Sequence, residues 1–325
     1  MNQELTIAVI GLGSIGMRHA KTLRRLGCPV VAFDPDPTRR AEWERFDGES
    51  AISRDAAYAK AAGAIIASPT GHHFADLASA IDAGCDVLVE KPIAHAADGV
   101  ADLLQRAEAE GRVVAVGYNL RFHAAVCAAL DLLKKSCLGK LLWARFIGAS
   151  YLPHWRPHQD YRTGYAADPV SGGALLDWSH EIDLATHLLG PAEVAAAAGR
   201  NTGVLEIGAE DCVDVIMQHE NGVQSSLHLD YVTRPAQRRF EICGTGGVMA
   251  VDLLTRRLRV DGAECDGRIE QEFSGSFDDD YAEEIEDFLT CMETRHAARC
   301  TGRDGLAVLE HALAARVRLG LPALA

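Results

Sequence analysis

Thr6-Ile7-Ala8-Val9-Ile10-Gly11-Leu12-Gly13-Ser14-Ile15-Gly16-Met17-Arg18-His19 is the stretch that decides how this 325-residue chain folds. Its first five residues form a β-branched and apolar run, the pattern of a strand buried on both faces. The run opens directly into Gly-x-Gly-x-x-Gly, and a helix is expected to follow through Leu26, closed by Gly27. In that setting each glycine has a task. Gly11 makes the tight turn, Gly13 lets a pyrophosphate approach the backbone, and Gly16 lets helix and strand pack closely. Ser14 and Ile15 stand at the helix N-terminus, whose free N–H groups face an anion. A second strand, Pro29–Phe33, ends in Asp34, 34 − 11 = 23 positions beyond Gly11. That is close to the ~20 expected of the acid that binds ribose hydroxyls. A carboxylate there repels a 2′-phosphate, so NAD is expected over NADP. Arg39 and Arg40 follow within a turn and read first as an exposed helix face.

The same alternation continues. Ala64–Ala67 is a buried strand ending in Ser68-Pro69-Thr70-Gly71-His72-His73, followed by a helix over Phe74–Ala83. Asp86–Val89 is another strand, stopped by Glu90-Lys91-Pro92. A helix from about Ala96 to Glu110 leads to Val113–Val116, read as a further strand, and then to Gly117-Tyr118-Asn119-Leu120-Arg121-Phe122. Strands alternating with helices across short loops specify a doubly wound parallel sheet, whose strand carboxyl ends hold ligands. Ser68, Pro69, Thr70, His73, Glu90, Lys91 and Asn119 all stand at such ends, beside the glycine loop. Among them Lys91 is the first suspect for chemistry. An ammonium at the edge of a core is costly to desolvate without a partner, and Pro92 fixes the backbone just beyond it.

The totals limit the alternatives. A single core seldom grows past ~250 residues, so two domains are expected, 1–121 and 122–325. The net charge of −14 argues against a nucleic-acid partner, which needs a basic face. No apolar run approaches the ~20 residues that span a bilayer, and the N-terminus lacks the pattern of a secretory signal. Nine scattered cysteines suit reduced core thiols in a cytoplasm. Thirteen histidines include no HExxH motif, so no metal is expected.

In the second half a helix from about His123 to Lys135 precedes a strand, Leu141–Ile147. The following loop, residues 151–165, carries Trp155, Arg156 and Arg162 among several aromatics and histidines. Long structured loops are often functional; aromatic faces suit sugar rings and arginines suit phosphates or carboxylates. Gly172-Gly173 then opens a helix expected to run to Leu189, with Asp177, His180, Asp183 and His187 along one face. Val213–His219 and Gln224–Asp230 flank the hairpin signal Asn221-Gly222. Phe240–Cys243 and Val248–Val251 form a second hairpin around Gly244-Thr245-Gly246-Gly247. The expectation is an α+β domain built on an open, mainly antiparallel sheet. Two more helices are expected, Tyr281 to about Glu293 behind an acidic cap, and about Asp304 to Leu319.

The chain resembles the Gfo/Idh/MocA oxidoreductases, the glucose–fructose oxidoreductase and inositol dehydrogenase group. The likeness rests on Gly11–His19, Ser68-Pro69-Thr70 with His73, Glu90-Lys91-Pro92, Gly117–Phe122 and Gly172–Asp183, in the family's order. It implies an α/β chain, a Rossmann domain plus the α+β domain, and an NAD(P)-dependent enzyme. The reaction implied moves hydride between the nicotinamide and a secondary hydroxyl or keto group of a sugar, polyol or sugar derivative. It also implies that Lys91 touches the reacting hydroxyl and the cofactor, and that His180 is the general acid/base, assisted by Asp177. In inositol dehydrogenases that aspartate usually lies four residues before the histidine, whereas Asp177 lies three before His180. Tyr118 and Asn119 are candidates for the nicotinamide end, and Tyr118, Arg121, Trp155, Arg156 and Arg162 for the substrate. The uncovered face of the second sheet is expected to pair with another subunit in a homodimer or homotetramer. The competing readings are a non-catalytic NAD-binding regulator of the same fold and a reductase of an imine or unsaturated substrate.

Overall fold

The computed structural model describes residues 5–262 and 267–321. The chain divides into two compact units. One comprises Met1–Asn119 with Asp278–Leu309, the other Leu120–Phe277 with Glu310–Ala325. The first break falls within two residues of the expected 121/122 boundary, but the division expected from sequence had no returning segment.

The first unit carries six strands, β1 (Ile7–Ile10), β2 (Val30–Phe33), β3 (Glu49–Ser50), β4 (Gly63–Ile66), β5 (Asp86–Glu90) and β6 (Val114–Gly117). They pair in the order β3-β2-β1-β4-β5-β6, and every pairing is parallel. The order reverses direction between β1 and β4, which makes a crevice beyond their carboxyl ends, the place where such sheets bind ligands. Helices α1 (Ser14–Arg25), α2 (Pro37–Glu44), α3 (Arg54–Tyr58), α4 (Thr70–Asp82) and α5 (Val100–Ala109) connect the strands. The core strands are continuous apolar runs because helices cover both faces. β3 went unread from sequence: two polar residues carry no strand pattern.

The returning segment has its own reason. In α9 (Phe277–Thr294), Ile285, Phe288, Cys291 and Met292 lie on one stripe at helical spacing. They join Ile7, Val9, Ala20, Leu23, Ile65 and Leu88 in one buried cluster. That stripe gains its burial only by returning to the first sheet.

The second unit is built on eight strands, β7 (Leu141–Ala149), β8 (Ala192–Arg200), β9 (Cys212–His219), β10 (Gln224–Asp230), β11 (Gln237–Gly244), β12 (Gly247–Asp252), β13 (Arg257–Gly262) and β14 (Gly267–Glu272). Their order is β14-β13-β12-β11-β7-β10-β9-β8, with β7 and β10 parallel and the other neighbours antiparallel. Both hairpins read from sequence are present. Helix α6 (Ala124–Lys134) precedes the sheet; α7 (Ala174–Asp177) and α8 (Ser179–Leu189) pack over β7 and β10. Alternation along β7 turns Ala144, Phe146 and Gly148 inward, with Phe146 stacked on Phe240 at 5.5 Å. Gly148 is where the helices sit closest, since a Cβ there would lie 2.7 Å from Glu181 and 2.8 Å from Trp178.

Two expectations change here. The single helix from Gly172 to Leu189 is two, broken at Trp178 (φ −88°, ψ 24°). The cysteines are not all free: Cys137 is disulfide-bonded, while Cys28, Cys85, Cys127, Cys212, Cys243, Cys291 and Cys300 are free. The last helix is α10 (Gly302–Arg318). Among the described residues no helix is long and apolar enough to cross a membrane.

Candidate active site

The nucleotide half lies in the first unit. Gly11 takes φ +91°, and a Cβ on it would meet the Ala67 carbonyl oxygen at 2.5 Å. A Cβ on Gly16 would fall 1.8 Å from the Gly11 oxygen, so strand and helix close only without one. At Gly13 the opposite holds: the nearest atom a Cβ would meet is in the Arg39 guanidinium, 3.8 Å away. The backbone there is open in front of the α1 N-terminus, as a pyrophosphate requires. Ser14 is exposed and Ile15 half-buried at that same end.

Asp34 closes β2 and is buried. Its Oδ2 accepts the Leu12 N–H at 2.7 Å and its Oδ1 the Asp36 N–H at 2.9 Å. The carboxylate is thus oriented by the glycine loop itself. Arg39 approaches the Asp34 Oδ2 at 3.4 Å, and Arg40 donates to the Asp34 main-chain oxygen. Both arginines therefore belong to the rim of this pocket, more than their reading as a plain exposed face allowed. These features fit a dinucleotide with free ribose hydroxyls.

Beyond β4, Ser68 donates to Asp76 at 2.6 Å, and Arg54 pairs with the same carboxylate. Pro69 precedes α4, and Thr70 is its first residue, so this helix begins four residues earlier than expected. His73 was a candidate cofactor contact. It is buried, with Nδ1 2.7 Å from the Pro92 oxygen and Nε2 2.8 Å from the Ser68 oxygen. Burial pushes its pKa below the usual histidine range. A neutral ring has one N–H and donates to one of the two carbonyls. His73 ties two strand-end loops together. Beyond β5, Glu90 and Lys91 are half-buried, and the Lys91 N–H donates to the Glu90 Oε2 at 3.3 Å. The other Glu90 oxygen meets the Nε2 of buried His19 at 2.7 Å. Tyr118 and Asn119 follow β6 and are buried.

Asp177, His180 and the aromatic loop lie in the second unit. Asp177 ends α7, and His180 stands in the first turn of α8, buried. The break at Trp178 removes the continuous helix on which the spacing argument placed both. Instead, Asp177 accepts the Tyr231 phenol at 2.5 Å. Burial, reinforced by the Asp177 charge, pushes the Tyr231 pKa well up, so the phenol keeps its proton and stays a donor. Trp155 stands edge-on to Tyr231 at 5.4 Å and to Trp178 at 5.7 Å, held by its own N–H on the Ser150 hydroxyl at 2.6 Å. The aromatic loop and the Asp177 carboxylate therefore share one locality. Glu210 is buried against Gly173, where a Cβ would lie 2.2 Å from its Oε1. Burial pushes the Glu210 carboxyl up. Tyr231 and Glu210 had no sequence signal, because each is more than thirty residues from the group it touches.

The arginines read as substrate contacts separate. Arg121 is buried and engages Asp183 through Nε at 3.0 and 3.1 Å and Nη2 at 2.6 Å. Its guanidinium fork is matched to that carboxylate inside the second unit. Arg162 is exposed but shared between Asp160 at 2.9 Å and Glu206 at 3.1 Å. Two carboxylates cancel the charge it would offer an anion. Arg156 is exposed.

A Rossmann sheet with a fitted glycine loop, a buried carboxylate closing β2 and a lysine at the end of β5 has the form of an NAD-dependent oxidoreductase. Residues 5–118 match the family model described as "Oxidoreductase family, NAD-binding Rossmann fold", and residues 126–250 the "GFO/IDH/MocA C-terminal domain". The chain belongs to the Gfo/Idh/MocA family. It is 28% identical to the UDP-N-acetylglucosamine 3-dehydrogenase of Acidithiobacillus ferrooxidans over 97% of each chain. It is 30% identical to the inositol 2-dehydrogenase of Acidothermus cellulolyticus, covering 77% of this chain and 73% of that one. Levoglucosan dehydrogenase in complex with NADH has the same fold, at a TM-score of 0.87, 19% identity and 97% coverage of each chain.

Proposed function

We propose that this chain acts on a secondary hydroxyl of a sugar, polyol or sugar derivative, with Lys91, His180 and Asp177 as the residues that handle the reacting oxygen and its proton. Bound NAD supplies the hydride acceptor. His180 takes the hydroxyl proton as the general base, an imidazole nitrogen being able to accept and return it. Lys91 donates to the same oxygen and stabilises charge as it builds. Asp177, its charge held in place by the Tyr231 phenol, is the carboxylate that orients the acid/base group.

One observation carries the substrate class. Trp155 presents a half-exposed ring beside the Tyr231–Asp177 pair, an apolar face next to hydrogen-bonding groups, as sugar rings require. Arg162 is already paired with Asp160 and Glu206, so ring and hydroxyl contacts, more than phosphate contacts, supply recognition at this point. The substrates for which those relatives are named, an inositol and a nucleotide sugar, span the same class.

The outer face of the second sheet is where we place a homodimer or homotetramer contact. Trp143, Cys243 and Val248 lie side by side across β7, β11 and β12, with Trp143 40% and Val248 36% exposed. The cytoplasm, where NAD is at hand, is the compartment this reading implies.

The test is absorbance at 340 nm with NAD and a panel of polyols, aldoses, anhydrosugars and nucleotide sugars. Turnover is expected with at least one member. Lys91→Ala and His180→Ala are expected to abolish it while NAD still binds. Wild-type turnover in both variants overturns the roles given to these residues.

A further inference from the structure

The turn Glu90-Lys91-Pro92 is gripped at both ends by buried imidazoles. His73 meets the Pro92 carbonyl at 2.7 Å, and His19 meets the Glu90 Oε1 at 2.7 Å. His19 stands in the second turn of α1, the helix whose N-terminus faces the pyrophosphate position. It is fully buried, with the Tyr281 ring edge-on at 5.7 Å. Glu284 brings a carboxylate oxygen within 4.8 Å of both the His19 and the Glu90 donor atoms. The Glu90 carboxylate has little freedom: a Cβ on Gly117 would already lie 3.1 Å from its Oε2, and that oxygen accepts the Lys91 N–H.

We infer that His19 is a positioning residue for Lys91, acting through Glu90. The bond from His19 fixes one carboxylate oxygen, which leaves the other aimed at the Lys91 main chain. The ammonium is thereby carried on a turn that cannot swing. Misplacement of a reacting group by ~1 Å can cost ~100-fold in rate, which is the scale at which such a clamp matters. A shared metal ion explains the cluster less well. Two ligand atoms on one tetrahedral zinc stand about 3.3 Å apart, given bonds of ~2.0 Å, whereas 2.7 Å is a direct hydrogen-bond distance.

This inference rests on the function proposed above, so the experiment includes a readout that needs no turnover. His19→Gln sets an amide near the Nε2 position and can still reach Glu90. His19→Asn sets it near Nδ1, one atom short. Both keep a polar group of similar bulk. For His19→Asn we expect kcat to fall about tenfold or more with substrate KM and NAD affinity within about threefold. We also expect the reductive methylation rate of the Lys91 amine, followed by mass spectrometry, to change by about threefold or more. His19→Gln is expected to stay within about threefold of wild type in every readout. The His19→Asn/Glu90→Gln double variant should be no worse than the worse single, because both changes break one link.

Wild-type kcat and labelling in His19→Asn overturn the inference. So do equal damage in His19→Gln and additive losses in the double variant. If the wild-type chain turns over no member of the panel, the functional reading fails, while Lys91 labelling still decides the link to His19. Should His19→Asn not fold, labelling in Glu90→Gln decides it: an unchanged Lys91 rate overturns the inference and a changed one supports it.

Discussion

In the first unit the strand ends around the glycine loop carry backbone N–H groups and short side chains; in the second unit the long charged side chains are largely paired with one another. Gly13 presents bare main chain, Gly11 and Gly16 let strand and helix close behind it, and Asp34 is oriented by the N–H groups of Leu12 and Asp36. Arg121 is locked to Asp183, Arg162 to Asp160 and Glu206, and Arg238 to Glu181. The first arrangement suits a ligand held by backbone geometry. Under the function proposed above, the second leaves aromatic faces and a few hydroxyl-sized contacts for recognition. A long ionic side chain that already has a partner contributes shape more than charge.

That contrast can be broken by mutation, and the buried pair is the strongest place to start. Asp183→Ala leaves the Arg121 guanidinium buried without its main carboxylate and is expected to cost about 3–5 kcal/mol in urea unfolding. Asp160→Ala, in the exposed pair of the same unit, is expected to leave the unfolding midpoint unchanged. Equal effects would erase the distinction between a structural and a solvated arginine.

In the first unit, Gly16→Ala drives a Cβ onto the Gly11 oxygen and is expected to weaken NAD binding about 100-fold, or about 2.7 kcal/mol by titration fluorescence. Retained affinity would mean that close packing of β1 and α1 does not form the cradle. A smaller effect is expected of Tyr231→Phe, which removes the donor to Asp177. A hydrogen bond to a charged group is worth roughly 1.5–3 kcal/mol, so kcat is expected to fall about tenfold with NAD affinity unchanged. A wild-type kcat would detach Tyr231 and Asp177 from the chemistry.

The mildest test concerns pH. On the second sheet His228 bonds Asp230 at 3.0 Å and Asp214 at 2.8 Å, and these carboxylates raise its pKa to about 9. A histidine whose folded value lies above its unfolded one stabilises fully below the unfolded value, ~6.5, and less as pH rises through the folded value. The thermal midpoint is therefore expected to drop between pH 7 and about 9.5, and His228→Gln to lack that component. Because the ring is 38% exposed, the effect is small. An identical slope in the variant would remove His228 from the account.

Much of the first unit was legible because its information is local. The strand into Gly11, the 23-residue interval to Asp34 and the charged stop at Glu90-Lys91-Pro92 are each read within a few dozen residues. The second unit was legible as hairpins, through Asn221-Gly222 and Gly244–Gly247, but not as a site. The i, i+3 spacing of Asp177 and His180 assumed a continuous helix, and the turn at Trp178 interrupts it. Tyr231, Glu210 and Glu284 reach their partners across long stretches of chain, and periodicity holds no record of such contacts.

The sequence alone determined the parallel sheet, the nucleotide preference and the position of Lys91, since turn chemistry and strand periodicity act over short range. Only the tertiary structure decided which charges are paired with one another. It also decided that α9 returns to the first core. Both follow from burial. An apolar stripe or a guanidinium finds its lowest free energy with whatever partner the fold brings near, and that partner has no fixed place in the sequence.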